Sequence, residues 1–474
     1  MSFPEAQPIA RKISSVHLIA ICGTAMGALA CMLKTMGYAV TGSDHNVYAP
    51  MSEFLRSRGV NIVEGYDAQN LAHAPDLVVV GNAVSKDNPE VVAMQRLGLT
   101  YCSMPQAINR FAAAGKNQVV VAGTHGKTTT AAFIAWMLRC AEKDPSFLIG
   151  GIVSNFSSNF HVGRGDWMVL EGDEYDTAFF DKGPKFLHYT PAVTVLTSVE
   201  FDHADIFKDL EHVKAVFGQF LAALPAPSLL LAYDHDDNID ALLPAATCSW
   251  MRYGRQPYSR WRLGAVCIEA PFTRFEVYYR ERLWAEFKTC MIGVHNLGNL
   301  LAGIAVGREL GLRPWQIARA LSTFEGVRRR QEVRGVKSGV VVIDDFAHHP
   351  TAVRETVRAV KEFYGEARLI AVFEPRTNSS RRNVFQSDYA AAFEHADLIC
   401  IRQAPLLAKI PAAQRFSSRQ LVDDLARKGL AAHFFQDTDA IVAFLAQEAR
   451  PGDVCLIMSN GGFDDIHQRL LNRL

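Results

Sequence analysis

The sequence predicts an α/β protein of three domains built mainly on parallel sheets. Three observations predict it. The chain has 474 residues, room for about three domains at roughly 150 residues each. Short apolar runs alternate with helix-like stretches in every third of the chain, the pattern of strand–helix–strand units. Residues 245–290 change character: the run WRLGAVCIEAPFTRFEVYYRERLWAEFK alternates aromatic and β-branched residues, which predicts antiparallel strands beside the central parallel sheet. The predicted domains are 1–112, 113–326 and 327–474, and little Gly/Pro/Ser bias marks the linkers.

In the first domain the apolar run at 16–21 (VHLIAI) ends in CGTAMG, a helix-like stretch follows to Gly37, and strands are expected at 38–44 and 76–81. The second domain opens with a strand at 119–122, a glycine-rich loop and a helix over 128–140, with further strands at 167–170 and 192–197. In the third, 340–345, 369–373 and 454–458 are buried-strand candidates separated by helical stretches. No internal repeat or low-complexity tract is present.

Lys+Arg and Asp+Glu each number 49, so the charge balance carries no basic surplus for nucleic acid and no acidic tail. The nine cysteines include no C-x-x-C pair, which speaks against a disulfide framework or structural zinc and for a reducing compartment. The first residues, MSFPEAQPIARKISS, lack an apolar core followed by a cleavage site, and no apolar run reaches about 18 residues. A cytoplasmic protein without a membrane span is expected.

The loop GTHGKTTT at 123–130 carries the clearest chemistry. A strand, a glycine-rich loop and a helix present backbone N–H groups and a positive helix end to a phosphate chain. Lys127 would reach the outer phosphates and Thr128 would offer its hydroxyl to Mg²⁺. Val121 stands where the common G-x-x-x-x-G-K-[ST] pattern has its first glycine, so the loop is a compact variant.

The other motifs each allow a structural account as well. EGDEYD at 171–176 delivers four carboxylates from a strand end, suited to a hard cation or to a solvated loop. His203 in EFDHAD can be a ligand, can order a phosphate, or can be structural. Asn296 and Asn299 in GVHNLGN share a helical face, as caps or as contacts to a nucleotide. Arg328, Arg329 and Arg330 form either a solvated face or a neutraliser of phosphate charge. Asp345, after a strand end, is placed to hold ribose hydroxyls. ICGTAMG lacks G-x-G-x-x-G spacing, yet a glycine turn before a helix can seat a diphosphate.

Taken in order, GTHGKTTT, EGDEYD, EFDHAD, GVHNLGN, GVRRR and DDFAHHPTAV resemble the Mur ligase family. With HLIAICGTAMGALA before them and MSNGGFDDIH after, the likeness covers nearly the full chain. Members join amino acids or peptides to a UDP-sugar precursor of peptidoglycan. Two branches share GTHGKTTT and D-D-x-x-H-H-P-T. One adds L-alanine to UDP-N-acetylmuramate. The other attaches the recycled tripeptide L-alanyl-γ-D-glutamyl-meso-diaminopimelate. EYDTAFFDK, EFDHADIF, FEPRTNSSR and MSNGGF resemble the second branch, and residues 173–181 and 373–381 carry that distinction. A non-catalytic nucleotide sensor on the same fold is the alternative of another class.

The resemblance implies a Rossmann-like N-terminal domain for UDP-N-acetylmuramate, a P-loop ATPase-like central domain for ATP, and a Rossmann-like C-terminal domain for the murein tripeptide. ATP and Mg²⁺ are the implied cofactors. Nucleotide contacts would fall on Gly123, Thr124, His125, Gly126, Lys127, Thr128 and Thr129 in the loop, and on Asn296, Asn299, Arg330 and Asp345 beyond it. Mg²⁺ would bind Thr128, Glu171 and His295. Lys127, Glu171, His203 and Arg330 would be the catalytic set. Substrate contacts would fall on Gly23, Thr24, Ala25 and Met26 at the first turn, on Asp44, Ser85 and Glu174, and on Arg376, whose guanidinium suits a peptide carboxylate. Gly218 falls where several members carry a carbamylated lysine, so no modified lysine is expected.

Overall fold

A computed structural model describes residues 12–47 and 51–474. The first sheet has strands β1 (Ser15–Ile19), β2 (Ala39–Asp44), β3 (Asn61–Glu64), β4 (Leu77–Val80) and β5 (Tyr101–Ser103), in the order β3-β2-β1-β4-β5. Every neighbouring pair is parallel. The order reverses between β1 and β4, which opens a crevice at their C-terminal ends. Helix α1 (Thr24–Thr35) starts in that crevice.

The central sheet gathers β6 (Asn117–Ala122), β7 (Ser146–Val153), β8 (Ser158–His161) and β9 (Trp167–Gly172). A separate hairpin, β10 (Asp176–Ala178) and β11 (Asp181–Pro184), precedes β12 (Pro191–Leu196), β13 (Leu229–Tyr233) and β14 (Ser249–Gly254). Strands β15 (Trp261–Glu269), β16 (Phe272–Tyr279) and β17 (Arg282–Thr289) complete it. Its order is β17-β16-β15-β14-β13-β12-β6-β9-β7-β8. The expected antiparallel arm is β15–β17, with β14 still parallel to β13. Helices α2 (Lys127–Cys140) and α3 (Val294–Glu309) pack on one face, where Phe133, Leu300 and Ile304 are fully buried.

The third sheet holds β18 (Glu332–Lys337), β19 (Val340–Asp345), β20 (Leu369–Phe373), β21 (Leu398–Arg402), β22 (Ala432–Phe435) and β23 (Val454–Met458), ordered β18-β19-β23-β20-β21-β22. Only β18 runs antiparallel to its neighbour. Helix α4 (Pro350–Tyr364) follows β19.

In all three sheets, candidate site residues follow C-terminal strand ends. In the central sheet β9, β6 and β12 are adjacent, so the loops at 123–126, 171–176 and 198–205 share one rim. In the third sheet the ends of β19, β23 and β20 bring together residues 345–349, 459–462 and 374–381. All nine cysteines are free, and among the described residues no helix is long and apolar enough to cross a membrane.

Candidate active site

The phosphate loop is packed so tightly that its glycines are obligatory. Gly123 has φ +130°, and a Cβ there would lie 2.2 Å from Thr197 Oγ1 and 2.8 Å from the Ser198 nitrogen. Gly126, at φ +80° before α2, would meet Asn299 Oδ1 at 2.3 Å. The loop is tied to the exit of β12: Thr124 N–H donates to Ser198 O (3.0 Å) and His125 N–H to Ser198 Oγ (2.8 Å). Thr124 Oγ1 accepts from Glu200 N–H at 2.9 Å. Thr129 is buried in the first turn of α2.

Lys127 Nζ donates to Gly123 O at 2.5 Å and to both oxygens of Glu174 at 2.9 and 3.1 Å. Burial opposes its charge, but Glu174, Asp173 and Glu171 hold the ammonium protonated above its ordinary range. Glu174 is 3 % exposed and also receives His203 Nε2 at 3.1 Å. Burial works against its ionised form; Lys127 and His203 prevail and lower it to about 2. His203 is in turn raised, because the bond to Glu174 outweighs burial. Glu174, expected on the substrate, is buried, and Lys127 and His203 take up both its oxygens.

Thr128 Oγ1 donates to Glu171 Oε1 at 2.8 Å, and Glu171 Oε2 accepts from Gly150 N–H at 2.7 Å. Burial and neighbouring Asp173 raise the Glu171 carboxyl, so this oxygen pair is short of positive charge. A hydroxyl beside a carboxylate is the donor chemistry of a hard divalent cation. His295, at the start of α3, contacts Gln331 at 3.5 Å through Nε2, and its Nδ1 is buried without a hydrogen-bond partner. Burial, then Arg358, lowers His295 to about 4, which leaves a neutral imidazole.

Asn299 lines the phosphate loop, whereas Asn296 is buried and donates to Ile292 O (3.0 Å) and Gln331 Oε1 (2.9 Å). Arg330 stacks over the Phe346 ring at 4.6 Å. Asp345, expected at the nucleotide, accepts from Gln331 N–H (2.8 Å) and Ala347 N–H (2.7 Å) and so shapes the strand-end turn. Arg376 lies 3.4 Å from Glu374 and packs across Gly461. At the turn after β1, Gly23 and Thr24 are exposed, Ala25 is half-buried, and the Met26 side chain is buried at 6 % exposure. Asp44 accepts from Cys22 N–H (2.8 Å) and Asn46 N–H (2.9 Å), bracing that turn, while Ser85 is exposed on the loop after β4.

One short segment joins the central and third rims. Thr351 Oγ1 donates to Glu200 Oε2 (2.7 Å), His349 Nε2 to Phe201 O (3.1 Å), Ala204 N–H to Ser379 Oγ (3.1 Å) and Asn378 Nδ2 to Asp205 Oδ2 (2.8 Å). Sequence reasoning missed Glu200 and His349 as partners; the adjacent histidines before Pro350 were the available signal. It also missed Arg402, which pairs with the fully buried Glu374 and with Asp464 (2.7 Å). A lone arginine ending a strand carries no signal of its own.

Three family models match consecutive stretches: the Mur ligase catalytic domain over 15–116, the middle domain over 121–307, and the glutamate ligase domain over 329–461. The chain belongs to the Mur ligase family. It is accordingly an ATP-dependent, ADP-forming ligase. This Mur ligase is 39% identical over 461 residues to the UDP-N-acetylmuramate–L-alanyl-γ-D-glutamyl-meso-2,6-diaminoheptandioate ligase of Escherichia coli K12, covering 97% of this chain and 98% of that protein. It is 32% identical over 461 residues to the UDP-N-acetylmuramate–L-alanine ligase of Caldanaerobacter subterraneus, covering 97% and 98%. A crystal structure of a murein peptide ligase from Psychrobacter arcticus aligns with a TM-score of 0.71 at 33% identity, over 97% of this chain and 98% of that one.

Proposed function

We propose that this Mur ligase joins L-alanyl-γ-D-glutamyl-meso-diaminopimelate to UDP-N-acetylmuramate at the expense of ATP, in peptidoglycan recycling. The single observation that carries it is end-to-end likeness, at 39% identity over 97% of the chain, to the Escherichia coli ligase named for those substrates. The first domain (1–112) takes the UDP-sugar at Gly23–Ala25, the second (113–326) takes ATP, and the third (327–474) takes the tripeptide.

The lactyl carboxylate of UDP-N-acetylmuramate attacks the γ-phosphorus, the bond to the β-phosphate oxygen breaks, and ADP leaves. The peptide's α-amine then attacks the acyl carbon, loses a proton, and expels phosphate. Such transfer needs alignment and charge neutralisation more than covalent help from the protein. Lys127 would follow the phosphate charge by exchanging Glu174 for phosphate oxygens. Thr128 and Glu171, with His295, would hold Mg²⁺, which supplies neutralising charge at the phosphates. His203 and Arg330 flank the transfer, and Arg376 with Arg402 offers cations to the peptide's carboxylates.

Parallel assays with UDP-N-acetylmuramate, ATP and either the tripeptide or L-alanine test the assignment. Phosphate release and a UDP-linked product are expected with tripeptide at a kcat/KM at least about 100-fold above L-alanine, a gap of roughly 2.7 kcal/mol. Preference for L-alanine would move the enzyme to the other branch, and ATP binding without turnover on either would favour a sensor.

A further inference from the structure

We propose that His125, Glu200 and His349 form a binding site for a borderline transition-metal cation such as Zn²⁺, joining the phosphate loop to the third domain. One ligand atom from each of the three lies within 4.8 Å of the others. His125 Nε2 is 3.6 Å and His349 Nδ1 3.8 Å from Glu200 Oε2, and the two imidazoles stand 4.6 Å apart, centre to centre. Four-coordinate Zn²⁺ with bonds of about 2.0–2.1 Å sets its ligand atoms roughly 3.4 Å apart. The two edges to Glu200 would close on an ion by a few tenths of an ångström, and the third, between the two imidazole nitrogens and within 4.8 Å, by up to about 1.4 Å.

Each donor is prepared. His349 donates its Nε2 proton to Phe201 O, which leaves Nδ1, 3.8 Å from Glu200 Oε2, as the unprotonated ring nitrogen; a backbone carbonyl behind a ligating histidine is the usual second partner in such sites. That lone pair now accepts a 3.2 Å bond from Thr351 N–H, which a bound ion would displace. His125 Nε2 is buried with no hydrogen-bond partner.

Two imidazoles and one carboxylate select Zn²⁺, Co²⁺ or Ni²⁺, whereas the Thr128–Glu171 oxygens suit Mg²⁺. The two sites therefore differ in both residues and ion. His125 and Glu200 belong to the central domain and His349 caps α4 of the third, so a bound ion would clamp the domains together.

Co²⁺ titration of the chelator-stripped, nucleotide-free full chain in excess Mg²⁺ is the test. One equivalent is expected to bind with the strong visible bands of a four-coordinate ion and to raise the melting temperature. His125→Gln should weaken binding at least about tenfold. So should His349→Asn, which keeps a helix-capping side chain while removing the imidazole. Absence of binding at micromolar Co²⁺, or binding unchanged in both variants, would overturn the site.

Discussion

At the scale of single residues, Lys127 and Glu174 form a buried ion pair that the sequence does not announce. G-K-T marks Lys127 as a phosphate-seeking cation, and that much is legible because loop spacing defines it. That Glu174 neutralises it is not legible: EGDEYD offers four carboxylates, and only the fold selects one. Removing one partner of a buried ion pair costs about 3–5 kcal/mol, because the other is left uncompensated. Lys127→Met should therefore lose stability as well as turnover. Adding Glu174→Gln should restore most of the stability and none of the activity, which stays at least about 100-fold down. Denaturant melts and phosphate release separate the two. The sign with pH follows from Glu174, whose folded value is depressed from 4.5 to about 2. Its contribution is complete above pH 4.5 and is lost as pH falls from there toward 2, so melts of Glu174→Gln should lack that acid limb.

At the scale of elements, strand, loop and helix were readable almost to the residue: a helix expected from Thr128 begins at Lys127, and the strand ending at Ala122 ends there. Apolar runs bounded by glycine leave little choice of period. Alternating aromatics likewise revealed β15–β17. Side-chain direction at a turn was not readable: Met26 packs inward, and Asp345 serves backbone N–H groups. Gly123 shows how close the packing is. Gly123→Ala must move the Ser198 backbone or leave its left-handed φ, a strain of about 1–3 kcal/mol. A lowered melting temperature that ATP only partly recovers is expected in thermal melts with and without nucleotide.

For the whole molecule, motif order revealed three α/β units and their family, but nothing in a one-dimensional pattern reports which strand ends face one another. The contacts of 200–205 with 349–351 and 378–379 arise between distant segments and come from the fold alone. The first domain has a comparable anchor. Helix α1 rests on β7 and β8 of the central sheet, and Asn159 Nδ2 donates to Thr24 O at 3.3 Å. The covalent connection nearby passes through Ala114 and Gly115, both exposed. Once the tight turn closed by Lys116 N–H on Ala113 O is opened, lengthening a flexible connection costs only about 0.6 kcal/mol per doubling. Two glycines inserted after Ala114 should leave kcat/KM within about threefold in steady-state assays. The seat proposed for the sugar nucleotide is thus surveyed from the same sheet that carries the phosphate loop, as two marks on one ruler. Tether length can drift without altering the gauge between them, while a change in the ruler itself, at Asn159 or along β8, would put both marks out of true.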